Sequence, residues 1–210
     1  MGLPSDQVAW HSHAMRRLLL SSLLCLWAAA APAAEVTGAY SKFDPEKDCR
    51  LIEKGDQYVY AGTWACKGVG GVDIIVSESD DRGSAAFGKG KDAMKHCAMR
   101  KTFHPFNTPL SPVEWRIRNG KPFAAIERWS VSNPEGDGHS TWLVITAIKQ
   151  GESCHAHYVA GSYPNANAVA REEADALAPD FDCMTDTPTV DSKIGPPPID
   201  LISCMEMEKE

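Results

Sequence analysis

The chain has 210 residues, of which 43% are hydrophobic and 23% charged, and its formal net charge is −7. That hydrophobic share supports a packed core rather than a disordered chain. The acidic balance argues against nucleic acid or an anionic membrane as the main partner.

The N-terminus reads as a targeting segment. Met15, Arg16 and Arg17 form a short basic region, Leu18 to Trp27 and the following alanines form an apolar run, and Ala31-Pro32-Ala33 places small residues at a cleavage site. Residues 15–33 are therefore predicted to be a secretory signal peptide, and residues 1–14 a non-native extension, with translation starting at Met15. Cleavage after Ala33 leaves 210 − 33 = 177 residues. Loss of Arg16, Arg17 and Asp6 takes 21 basic and 28 acidic residues to 19 and 27, a net charge of −8. No later run reaches the roughly 18 apolar residues needed to cross a bilayer. The expected location is the periplasm or the exterior.

Coarse patterning places one domain over 34–188 and a Pro-containing, flexible tail over 189–210. Alternating or wholly apolar runs bounded by turn residues occur at 57–66, 72–77, 84–88, 113–118, 123–132, 141–149 and 154–160. The connections SDDRG (79–83), NGK (119–121), NPEGDG (133–138) and QGE (150–152) are short turn sequences, which imply antiparallel hairpins. TWLVITAIK (141–149) is apolar on both faces and is predicted to be a central strand. A helix follows SYPN: Asn165 is the expected N-cap, Arg171 and Asp175 the expected i,i+4 pair, and Pro179 marks the end. Ala166, Val169, Ala170, Ala174 and Leu177 recur at helical spacing, and their mostly small side chains allow close approach to a sheet. The expected fold is an antiparallel, sheet-dominated α+β domain with one C-terminal packing helix, stapled by disulfides.

Outside the signal, Cys49, Cys66, Cys97, Cys154, Cys183 and Cys204 form an even set, as expected in an oxidising compartment. Cys183 follows the helix and is placed to return to Cys154 at the start of the last strand. Cys49 would tie the first segment to Cys66. Cys97 and Cys204 pair only by elimination, so a free thiol or an intermolecular bridge is left open at Cys204.

Two constellations are candidate sites. ESCHAHYVAG (152–161) brings Cys154, His155 and His157 together, and on a strand Cys154 faces away from the histidines. The H-x-H pair is predicted to share a face, a spacing that supplies two ligands for zinc or copper, although no third ligand is fixed by the sequence. In VEWRIRNGKPFAAIERW (113–129), Glu114, Arg116 and Arg118 share a face and the next strand brings Glu127, Arg128 and Trp129. The simplest expectation is cross-strand ion pairing. A sharper one is a recognition surface, in which arginine forks take a carboxylate or phosphate and Trp129 stacks on the ligand. Glu114 and Glu127 as paired acids would suit an envelope hydrolase.

The other motifs carry less chemistry. GVGG (68–71) lacks the lysine of a phosphate loop. SESDD (77–81) could touch calcium but lacks the ligand spacing of a known loop. Residues 89–101 gather Lys89, Lys91, Lys95, His96, Arg100 and Lys101 into a local basic patch, expected on a short helix, that would suit an acidic partner.

Taken together, YAGTWACKGVGG, VSESDDRG, VEWRIRNGKPFAAIERW, GESCHAHYVAG, NANAVAREEAD and FDC resemble a family of small exported alphaproteobacterial proteins to which no activity, cofactor or partner is assigned. The resemblance covers about 38–188 and implies Cys49, Cys66, Cys154 and Cys183 as the bridging set. Catalysis has no sequence support. The expected function is a non-catalytic binding or interaction module of the cell envelope, whose partner is an envelope protein or a small anionic ligand met at Arg116, Arg118 and Arg128. The alternatives are a small metal-binding protein and a hydrolase. No cofactor is expected beyond that possible metal.

Overall fold

A computed structural model describes residues 35–55, 61–133 and 137–209. The expected signal peptide and extension, the start of the 57–66 run and the turn at 134–136 lie outside the described residues.

Ten strands are present among them: β1 (Val36–Ser41), β2 (Arg50–Lys54), β3 (Ala61–Cys66), β4 (Asp73–Ser79), β5 (Arg82–Gly88), β6 (Asn107–Arg118), β7 (Lys121–Ser132), β8 (His139–Lys149), β9 (Glu152–Ala160) and β10 (Thr189–Asp191). They form one sheet in the order β10-β9-β8-β7-β6-β5-β4-β3-β2, with β1 pairing the C-terminal half of β6. All pairings are antiparallel except β9–β10 and the single β5–β6 contact, Arg82 with Asn107. The sheet-dominated fold is thus as the patterning predicts. The hairpin turns follow from their residues: Asp80–Asp81 and Asn119–Gly120 all have positive φ, between 52° and 72°, as a two-residue type I′ turn requires.

The sheet folds back so that β3–β5 lie over β6–β9. Trp64, Ile74, Val76 and Phe87 from the first layer pack with Val113, Trp115 and Ala125 from the second. The layers are also joined by the Phe87 backbone N–H, which donates to the Ser153 hydroxyl at 3.1 Å. A continuing cluster of Phe103, Trp129, Trp142, Val144 and Tyr158 fills the other half of this interior. β8 is flanked by β7 and β9 and is buried on both faces, the central position expected of TWLVITAIK.

On the outer face of β7–β9 lies α1 (Ala166–Leu177). Its buried residues are Ala166, Ala170 and Ala174, which bring the axis down onto Ile126, Leu143, Ile145 and Ala156. Asn165 stands at the N-cap in the left-handed region, φ 55°, but its side chain caps nothing. At the far end Lys149 donates to the carbonyls of Ala178 and Pro179, both at 2.8 Å, satisfying groups that a helix terminus leaves open.

All three disulfides are present: Cys49–Cys66, Cys97–Cys204 and Cys154–Cys183. The pairing left open at Cys97 has a structural cause. The segment 189–209, expected to be a flexible tail, is instead packed: β10 pairs with β9, Ile199 is buried, and a capped turn of helix, α2 (Cys204–Met207), is bonded to Cys97. Residues 89–101 form two 3-10 turns, Gly90–Lys95 and Cys97–Arg100, rather than one short helix.

Candidate functional site

Glu114 and Arg116 face α1, and the helix has the complementary charges. Arg116 donates through Nε and Nη2 to both oxygens of Asp175, at 2.7 and 2.5 Å, while Arg171 Nε donates to Glu114 Oε1 at 2.6 Å. Arg116 Nη1 lies 3.8 Å from the same Glu114 oxygen, closing a four-member network. This corrects two expectations. Arg171 and Asp175 pair with the strand rather than with each other, and the ion pairs of Arg116 run from strand to helix and along the strand rather than between strands. The reason is a match of spacings: two residues of strand advance about 6.6 Å and four residues of helix about 6 Å, so both pairs meet in register. Arg118 stands apart, its guanidinium 4.8 Å from the centre of the Phe123 ring.

Glu127 and Trp129 do not join this surface. Glu114 pairs with Ile126, so Glu127, one residue further on, points to the opposite face. Its side chain is 1% exposed and that of Trp129 fully buried, which removes Trp129 as a stacking platform and leaves the two acids without a common cleft. Burial pushes the Glu127 carboxyl up to about 8. The Trp129 indole opposes part of that shift, although among the described residues neither its N–H nor Glu127 Oε1 has a hydrogen-bond partner.

The histidines do not share a face either. Thr146 pairs with His155, and the adjacent Ile145 pairs with His157, so a β-bulge at Ala156 turns the two rings to opposite sides of the sheet. His155 Nδ1 lies 2.8 Å from the Tyr158 hydroxyl in the interior. His157 Nδ1 lies 2.6 Å from Thr189 Oγ1 and its Nε2 3.3 Å from Asp191, both on β10. Burial lowers both imidazoles, that of His155 to about 3. Regular alternation predicts a chelating pair; the bulge takes it apart. Among the described residues no group of three or more His, Cys, Asp or Glu side chains is arranged to hold an ion.

The basic segment is divided. Lys89, Lys91 and Lys95 are exposed. His96 is buried against Ser153, Arg100 donates to the Met207 carbonyl at 2.6 Å, and Lys101 donates to the carbonyls of Asp200 and Ile202. Burial lowers the Lys101 ammonium to about 8. These two cations anchor the C-terminal segment.

Arg128 remains. It projects beside the start of α1, where its Nη2 donates to the Asn167 side-chain oxygen at 2.8 Å. No carboxylate among the described residues pairs with it. Two depressions share Arg128, Asn167 and Arg171. One, about 220 Å³, is completed by Tyr40, Pro112, Glu114, Ile126 and Leu143; the other, about 520 Å³, by Tyr163, Asn165 and neighbouring backbone. Arg171 also donates to the Tyr40 hydroxyl, so its fork is held in place. Tyr40 and Asn167 escaped sequence reasoning, which placed Arg171 only in a pair within the helix. The E-x-R of the strand and the R-x-x-x-D of the helix were the available signal, as complementary charges at matched spacing.

Comparison with protein-family models, with curated proteins and with solved structures finds no match.

Proposed function

We propose that this chain is a non-catalytic binding module that works outside the cytoplasm, in the periplasm or beyond, and takes an anionic group, a carboxylate or phosphate, at Arg128. The observation that carries the reading is the contrast between the arginines of one surface. Arg116 and Arg171 are engaged by Asp175 and Glu114, whereas among the described residues the fork of Arg128 has a neutral amide, Asn167, as its side-chain partner and no carboxylate. A half-buried guanidinium with unused donors in a concave setting favours a bidentate anion. Asn167 adds an amide that can turn toward the ligand.

The compartment is supported by the three disulfides, which persist where thiols are not kept reduced, and by the motif resemblance to exported proteins. No helix among the described residues is long and apolar enough to cross a membrane.

The test is a two-dimensional NMR titration of the oxidised chain with inorganic phosphate and with succinate. Saturable shifts of the Arg128 Nε–H and the Asn167 side-chain amide are expected, and they should vanish in Arg128→Gln. Shifts that persist in that variant, or the absence of saturable shifts with both anions, would overturn the assignment.

A further inference from the structure

Between the two layers the interior opens to solvent in a cleft of about 420 Å³. Its walls are Phe43 and Pro45 before β2, Trp64 and Val76 on β3 and β4, and Pro109 and Leu110 on β6. Asp44, Glu78 and Asp81 supply carboxylates.

The placement of Glu78 is built into the sheet. It pairs with Gly62 on one side and with Gly83 on the other, so both strand neighbours on its face lack a side chain. The space over each glycine is taken by a ring. A Cβ at Gly62 would come within 2.8 Å of Trp64 Cη2, and one at Gly83 would collide with Pro109 Cδ. The indole therefore lies along β3 beside Glu78, and the proline ring flanks it from β6. Asp81 sits in the turn that follows, its backbone held by Asn107, whose N–H donates to the Asp81 carbonyl at 3.0 Å.

Among the described residues no cation pairs with these two acids, Glu78 and Asp81. Asp44, by contrast, is engaged by Lys47 at 2.6 Å. The nearby Arg82 donates its Nε to the Pro105 carbonyl instead. Burial, reinforced by the charge of Asp81, raises the Glu78 carboxyl, as expected where two acids are held close without a counter-charge.

We infer that this cleft binds an alkylammonium group, its charge against Glu78 and Asp81 and its apolar stem along Trp64, Phe43 and Leu110. Carboxylates in a cleft with apolar walls suit an organic cation, because the acids attract the charge while the walls cover the carbon chain. A bare metal ion would gain nothing from the rings. The ammonium can come from a free amine or from a lysine side chain of a protein partner. The Arg128 site shares β6 with this cleft, Leu110 being the register partner of Arg128, but the two have no lining residue in common and opposite charge preferences, so the inference does not rest on that reading.

The test is calorimetric titration of the oxidised chain with n-butylammonium and with Nα-acetyl-lysine methylamide, using n-butanol and calcium as controls. Saturable binding of at least one ammonium compound is expected. It should weaken about tenfold or more in Glu78→Gln combined with Asp81→Asn, and be unchanged in Arg128→Gln. Tighter binding of the lysine derivative would point to a protein partner, tighter binding of butylammonium to a free amine. Equal binding of n-butanol, retention of ammonium binding by the double variant, calcium binding in place of the ammonium, or no binding of either ammonium would overturn the inference. Circular dichroism of the double variant separates a lost ligand from a lost fold, and if that variant fails to fold, Glu78→Gln alone serves, with the same outcomes.

Discussion

Arg116 holds Asp175 through both carboxylate oxygens, and this pair ties β6 to α1 across a surface where the helix otherwise presents mainly alanine. The Arg116 side chain is 12% exposed and that of Asp175 31%, so the pair is shielded on one side only. Asp175→Asn is expected to destabilise the fold by about 1–2 kcal/mol, below the upper range for charged hydrogen bonds because water screens the open side. Denaturant unfolding should show a lower midpoint with an unchanged slope; an unchanged midpoint would mean that the pair contributes nothing net.

Glu127 gives the stability an alkaline limb. In the unfolded chain its carboxyl ionises near 4.5, whereas burial in the fold raises it to about 8. The native state thus binds more protons than the unfolded state between these values. Its contribution is full below about pH 4.5 and is lost as pH rises toward 8. Glu127→Gln should remove that slope and be more stable than the parent at pH 8 by a few kcal/mol, roughly 1.4 for each pH unit of the window. Unfolding midpoints from pH 4.5 to 8 check this, and identical slopes in the two proteins would show that Glu127 does not titrate in that window.

His155 and His157 act with the opposite sign. Their folded-state values are depressed, so the unfolded chain binds more protons below about 6.5, and stability falls as pH drops through that value toward 3 for His155. Between about 4.5 and 6.5 this limb opposes that of Glu127. His155→Gln should flatten the acid limb. The measurement is the difference in midpoint between variant and parent at pH 7, 6, 5 and 4, and a constant difference would refute the assignment.

The disulfides should rank by the loop each closes. Cys97–Cys204 spans 107 residues, Cys154–Cys183 29 and Cys49–Cys66 17. By the chain-entropy model, replacing the first pair with serines costs about 4–5 kcal/mol and the last about 3. The 107-residue bridge also anchors α2, so its loss should free the segment after Pro198 to limited proteolysis. The denatured, unreduced protein should have a mass about 6 Da below the reduced one.

Much of this structure is written in local patterns. Seven of the strands, the hairpin turns and the inner face of α1 follow from alternation, turn residues and 3.6-residue spacing, because each depends on neighbours within a few positions. β1, β2 and β10 are less legible: they are short, and most of their residues stay at least partly exposed, so no strong apolar alternation marks them. The packing of residues 189–209 is likewise hidden, since it depends on Cys97 and Lys101 about a hundred positions away.

The candidate sites divide the same way. Sequence alone determined that Glu114 and Arg116 share a face, that Arg171 and Asp175 share another, and that six cysteines stand ready to pair. Only the tertiary structure decided that those two faces meet and that, among the described residues, Arg128 is left without a counter-charge. It also decided that one bulged residue turns His155 from His157, and that Glu78 stands between two glycines covered by Trp64 and Pro109. A strand's period fixes which side chains point together, but what they point at, and where one extra residue shifts the period, is set by packing between segments far apart in the chain.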